Sequence, residues 1–360
     1  MASHSPLGRR SLLAGGLTVS AVGALGLGVA SAGAAPQRTQ PGRAGADSKE
    51  PRIYDTQEWG AREPDGQIVV LDRVPTYIVV HHTAEPGNSE DYSLEHAMQI
   101  CRDIQDFHMD GQGWGDTGQQ FTNSRGGYAL EGRHRSLEVV RGGTQHVQGA
   151  NVADHNSEVI GIENEGLYSE VDVPEALWDS LVSLVAWIAT QYDRPVENIM
   201  GHRDFNSTEC PGEVLYGRLQ ELREAVAGAM GTRAPAAPLA WPLLKPGSSG
   251  PRVRAAQHLL RAAGFLSVRA DGVFGPETKR AVVKLADSAG VKPHTCSALH
   301  HSKVDETGFL GSDIWPLLTP RVTAGSGSEV SDAVTQLRRA GGELKTSGVL
   351  GKDDWKRLLA

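Results

Sequence analysis

Cysteine is scarce in this chain, with three in 360 residues. Three thiols cannot build a disulfide framework, so stability must come from buried cores and, where the chemistry asks for it, a metal. Positive charge is also in deficit. The formal net charge is −8, which excludes charge-driven attraction to nucleic acid or to an anionic surface, so any attachment must be a shaped recognition event. What remains is ordinary globular composition, 39% hydrophobic and 22% charged, with room for two or three domains.

Residues 1–35 read as a targeting segment. Gly8-Arg9-Arg10-Ser11-Leu12-Leu13 is a twin-arginine signature, followed by an uncharged Gly/Ala/Leu/Val run and a small-residue stretch, residues 30–35, suited to cleavage. The run is long enough to span a membrane, but its Gly, Ala and Ser make it weakly apolar, which favours export with cleavage over an anchor. No stable membrane anchor then remains, and loss of Arg9 and Arg10 takes the charge to −10. The twin-arginine route carries folded proteins, so a metal site can be filled before export. Residues 36–50, rich in Gly, Ala, Pro, Gln and Arg, read as a flexible spacer.

The chemistry gathers on Gly201-His202-Arg203-Asp204-Phe205-Asn206-Ser207-Thr208-Glu209-Cys210-Pro211-Gly212. An imidazole and a thiol share one Gly- and Pro-bounded loop, at a spacing that a loop folding back on itself can bring to one zinc ion. The alternative is a surface loop with an incidental Cys. Far upstream, Tyr77 to Thr83 reads as a short buried strand running into His81 and His82, and strand ends are where α/β folds place chemistry. Successive strand residues point to opposite faces, so these two histidines do not serve one metal.

The periodicity predicts helix over Ser93 to His108, a turn and strands over Phe121 to Arg133, and a strand over Glu158 to Glu163. A helix starting at Pro174 carries Leu177, Leu181, Leu184 and Ile188 on one stripe, and another after Pro211-Gly212 carries Leu215, Leu219, Leu222 and Val226. Residues 51–230 thus form one α/β domain with a mixed central sheet flanked by helices. Cys101 falls on the apolar face with Leu94, Met98 and Ile104, where a buried free thiol is favoured over a Cys101–Cys296 disulfide.

Residues 231–242 are an Ala/Pro linker. Within 243–319, Gly250-Pro251 opens an amphipathic helix, Asp271 to Thr278 turns into a second, and Gly311-Ser312-Asp313-Ile314-Trp315 closes the segment. Gly351-Lys352-Asp353-Asp354-Trp355 repeats that closing motif 40 residues on, so residues 326–360 read as a degenerate second copy.

The ordered set of strand ending His81-His82-Thr83, Gly113-Trp114-Gly115-Asp116, Gly161-Ile162-Glu163 and the loop 201–212 resembles the zinc N-acetylmuramoyl-L-alanine amidases of the peptidoglycan recognition protein and phage-lysozyme type, over roughly residues 51–229. Residues 243–319 resemble the small all-α three-helix peptidoglycan-binding domain. The resemblance selects His81, with His202 and Cys210, as the Zn2+ ligands and leaves His82 a supporting role. Three protein ligands with one open position is the pattern of catalytic zinc.

Many relatives carry a Tyr where this chain has Gln119, which cannot take up a proton. Gly161-Ile162-Glu163 resembles the recycling amidases, whose Glu after Gly-Ile is catalytic, which implies Glu163 as general base and acid, with Glu165 as fallback. Thr208, two residues before the ligand Cys, either donates to the oxyanion or only shapes the loop. His146 and Asn151 match groove-lining positions, and Trp114 stands at the groove wall. The resemblance implies a secreted or cell-wall enzyme that cleaves the lactyl–L-alanine amide of peptidoglycan, held by its C-terminal module. A non-catalytic peptidoglycan-recognition protein is the alternative, against which Cys210 speaks; a zinc hydrolase of another amide is a third.

Overall fold

The computed structural model describes residues 48–292, 298, 305–319, 322–323, 327–344 and 349–360. The leader, most of the spacer and Cys296 lie outside these.

The N-terminal part is built on a six-stranded sheet in the order β1-β5-β4-β7-β3-β8. Its strands are β1 (Ile53–Tyr54), β3 (Tyr77–His82), β4 (Phe121–Asn123), β5 (Ala129–Glu131), β7 (Val159–Asn164) and β8 (Ile199–Gly201); β2 (Val70–Leu71) and β6 (His146–Val147) form a separate antiparallel ribbon. Only β4 and β5 run antiparallel within the large sheet, as the hairpin expected around residues 125–127. β3 and β7 lie side by side and parallel at its centre, with His81 opposite Glu163 and His82 opposite Asn164.

Alternation along these two strands separates core from chemistry. Ile78, Val80, Ile160 and Ile162 pack on α3 (Glu175–Tyr192) and α5 (Leu219–Ala229), against Leu177, Leu181, Leu184, Ile188, Leu222 and Val226. Each such fully buried side chain stabilises the fold by roughly 1.5–3 kcal/mol. Val79 and Val159 join Val152 on the opposite face, and that face carries His81 and Glu163. Gly161 leaves room on this face for Asn151: a Cβ there would stand 2.3 Å from the Asn151 amide oxygen, so that side chain would have to move.

Other helices of this part are α1 (Leu94–Asp106), capped by the Ser93 hydroxyl, α2 (Ser136–Gly142) and α4 (Glu213–Gly217). Two expectations are corrected in detail. Pro174 is extended and sits just outside α3 as its N-cap. The helix after Pro211-Gly212 breaks at Gly217–Arg218 into α4 and α5, where glycine weakens the helix and the Arg218 guanidinium turns onto the Trp178 ring, 3.7 Å from its centroid. Cys101 is a free thiol, and burial pushes its pKa up to about 12.

The C-terminal part holds α6 (Pro251–Ala262), α7 (Pro276–Ala289), α8 (Trp315–Leu318), α9 (Ser328–Arg339) and α10 (Lys352–Leu359), with a ribbon of β9 (Val322–Thr323) and β10 (Val349–Leu350). The two helical copies share one core. Val253, Leu259 and Phe274 of the first meet Val334, Leu337 and Leu358 of the second, and the paired motif residues Trp315 and Trp355 are both 0% exposed. The end of the linker belongs to this core as well, because Trp241 stacks on Trp315 at 6.1 Å. No described helix is long and apolar enough to cross a membrane.

Candidate active site

Two loop ends deliver the metal-binding candidates. β3 carries His81 one residue before its end, and the loop after β8 folds back on itself, the Arg203 backbone N–H donating to the Cys210 carbonyl at 3.0 Å. Asp204 holds the start of this turn by accepting from the Gly201 N–H (2.9 Å) and the Tyr216 hydroxyl (2.6 Å). The result brings His81, His202 and Cys210 together, their ligand atoms within 4.8 Å of one another and all three residues buried. His81 Nδ1 lies 3.6 Å from Cys210 Sγ, and the two imidazole rings are 4.6 Å apart.

This geometry fits zinc. Ligand bonds of about 2.3 Å to sulfur and about 2.0 Å to nitrogen, opened to a tetrahedral angle, put the two donor atoms about 3.5 Å apart, close to the distance found. His81 is also in the right protonation state. Burial pushes His81 down to about 3, so its imidazole is neutral, as a ligand must be. His202 is oriented by Asn206, whose Oδ1 lies 3.1 Å from Nε2, and the His82 backbone N–H donates to Cys210 Sγ at 3.4 Å. His82 itself turns to the helix face, where Nδ1 accepts from the Tyr168 N–H at 3.4 Å and burial lowers its pKa to about 3.

Glu163 stands beside this cluster. One carboxylate oxygen is 3.8 Å from His81 Nδ1, and the other is buried without a hydrogen-bond partner among the described residues. Burial holds its carboxyl well above the usual carboxylate range. Glu165, the fallback, is committed elsewhere: it pairs with His96 at 2.9 Å and accepts the Arg125 N–H at 2.9 Å.

The other expected site residues are built into the scaffold. Thr208 is fully buried; its hydroxyl donates to Glu306 at 3.1 Å and accepts the Cys210 N–H at 3.1 Å. Its hydroxyl proton therefore already has an acceptor, and its oxygen ties down the backbone of the candidate ligand Cys210. Asn151 donates to the Gly118 carbonyl at 2.8 Å under the sheet. His146 is buried in the β2–β6 ribbon with Nδ1 2.8 Å from the Arg73 carbonyl oxygen. Trp114 is half-buried against the His108 ring at 4.6 Å. The adjoining Asp116 is a buried hub that accepts from Gln105, Thr117 and His134. Gln119 spans to the Thr122 hydroxyl at 3.0 Å.

Sequence reasoning missed Asn206 and Glu306. Asn206 has a signal in its spacing, four residues beyond His202 on one turn; Glu306 has none. Among the described residues one other group can hold a metal, His258, Glu329 and Asp332, but Glu329 is already paired with His258 (2.7 Å) and Arg261 (2.8 Å) at the surface.

The family model for N-acetylmuramoyl-L-alanine amidase matches residues 71–213, which include every member of the cluster and Glu163, and a peptidoglycan binding domain model matches residues 249–285. The chain belongs to the family of N-acetylmuramoyl-L-alanine amidases and peptidoglycan-recognition proteins. It is 30% identical over 171 residues to peptidoglycan-recognition protein SC2 of Drosophila melanogaster, covering 47% of this chain and 84% of that one. It is 29% identical over 197 residues to peptidoglycan-recognition protein LB of the same organism, covering 54% and 79%. The human N-acetylmuramoyl-L-alanine amidase is 30% identical over 172 residues, 47% of this chain but only 28% of the human protein's length.

Proposed function

We propose that this chain is an exported bacterial zinc-dependent N-acetylmuramoyl-L-alanine amidase, which hydrolyses the amide between the lactyl group of N-acetylmuramic acid and L-alanine. Residues 51–230 form the catalytic domain, and the module of residues 243–319, packed with 326–360, holds it on peptidoglycan. The observation that carries the reading is the buried His81–His202–Cys210 cluster with Glu163 3.8 Å from His81. A peptidoglycan-recognition protein without catalysis needs neither the thiolate nor the carboxylate.

His81, His202 and Cys210 would hold the zinc, whose Lewis acidity polarises the scissile carbonyl and acidifies water to near neutrality. Glu163 supplies the proton traffic. Its carboxylate takes a proton from the attacking water as the new C–O bond forms, and returns it to the alanine nitrogen as the C–N bond breaks. Burial raises its affinity for the proton, which strengthens it as the base of the first step. Asn206 and the His82 N–H keep His202 and Cys210 in place during turnover.

Mass spectrometry of digested peptidoglycan tests the assignment. Free stem peptides beginning with L-alanine, with glycan strands intact, are expected. Cut glycan, or peptides cut within the stem, would refute it.

A further inference from the structure

Glu306 lies outside both matched segments, yet it is 2% exposed and reaches the loop that ends in Cys210. Its Oε1 accepts the Thr208 hydroxyl at 3.1 Å and the Glu209 backbone N–H at 2.7 Å. Thr208 relays the contact, since its oxygen accepts the backbone N–H of Cys210 itself. Two hydrogen bonds therefore connect a carboxyl group of the C-terminal module to a candidate ligand of the metal cluster.

The surroundings are shaped for this contact. The Gly311 N–H donates to the Ser207 hydroxyl oxygen at 2.8 Å, Ser207 donates to Asp313, and the Ser312 hydroxyl donates to the Arg203 carbonyl at 2.5 Å. The backbones approach so closely that a Cβ on Gly311 would stand 2.8 Å from Ser207 Cα. Lys245, at the start of the module, pairs with Glu209. The motif Gly311-Ser312-Asp313, which on sequence only closes the first helical segment, thus also grips the ligand loop. A simple tether would not need a buried carboxylate aimed at the two residues before Cys210.

We infer that Glu306 is a positioning residue of the amidase site, supplied by the C-terminal module, which fixes the Thr208–Cys210 turn so that the Cys210 thiolate meets His81 and His202. The inference rests on the zinc-amidase reading above. Its consequence is that docking of the module and assembly of the metal site are one event.

The test is zinc affinity by chelator competition in the full-length chain, for the wild type, Glu306→Gln, Glu306→Ala, Thr208→Val and the double variant Glu306→Ala/Thr208→Val. Glu306→Gln keeps an oxygen acceptor for both donors and should stay within about threefold of wild type, whereas Glu306→Ala should lose about 10- to 100-fold, the usual cost of removing a ligand's support. The double variant should be no weaker than Glu306→Ala, because both changes cut one chain of contacts. Wild-type affinity in Glu306→Ala, an equal loss in Glu306→Gln, or additive losses in the double variant would overturn the inference. Should Glu306→Ala not fold, Thr208→Val decides: weakened zinc binding supports the relay and unchanged binding overturns it. Affinity is read without substrate, so an inactive wild type that shows this pattern would sink the amidase reading and leave Glu306 in its role.

Discussion

Raising the pH should loosen the module from the ligand loop, and the size of the effect follows from Glu306. Burial pushes its carboxyl from 4.5 to about 8, with Thr208, Arg203 and Lys245 pulling the other way. Asp287, Lys292 and Asp313 line the same small cavity. Because the folded pKa lies above the unfolded one, the contribution to docking is complete below about 4.5 and declines as the pH rises, until it is gone above about 8. At about 1.4 kcal/mol per unit, a gap of about 3.5 units sets an upper value of about 5 kcal/mol.

The assay is hydrogen exchange at the Thr208 to Cys210 amides, with proteolysis of residues 231–242 alongside, from about pH 5 to about pH 9, in wild type and Glu306→Gln. Protection should fall with pH in the wild type. In Glu306→Gln, which has no proton to lose, the slope should be absent. A flat wild-type profile, or the same slope in both proteins, would refute the reasoning.

Glu163→Gln preserves the shape of the side chain and removes its proton transfer, so the variant should keep its zinc and its fold while turnover on soluble muropeptide drops roughly a hundredfold or more. Near-wild-type turnover would remove the assignment, and Glu165→Gln would then be the next variant to measure. Purified wild type should carry about one zinc per chain, and Cys210→Ser and His202→Ala should lose metal and activity together. Full activity of metal-free protein in chelator would count against the whole site.

Much of the chemistry was legible before the fold. The spacing of His202 and Cys210 on one loop announced a metal pair, and strand alternation announced that only one of His81 and His82 can serve it. The structure gathers His202 and Cys210 with His81 and turns His82 to the helices, bonded to the Tyr168 N–H. The stripe of Leu177, Leu181, Leu184 and Ile188 placed α3 correctly, since a 3.6-residue period is a local property of the chain. The sharing of one core by the two C-terminal copies was not legible, because a repeat says that two units are alike and nothing about which surfaces they bury.

What the sequence by itself determined is what local pattern controls: residue types with metal chemistry, the strand face each occupies, and the helices that cover the opposite face. Tertiary structure decided the partners. His81 meets Glu163 because β3 and β7 are parallel and in register, Asn206 orients His202 only once the loop has folded back, and Thr208 donates its hydrogen bond to a residue 98 positions away. Hydrogen bonds act over about 3 Å of space and carry no mark in sequence separation, so contacts of this kind appear only when the chain is folded.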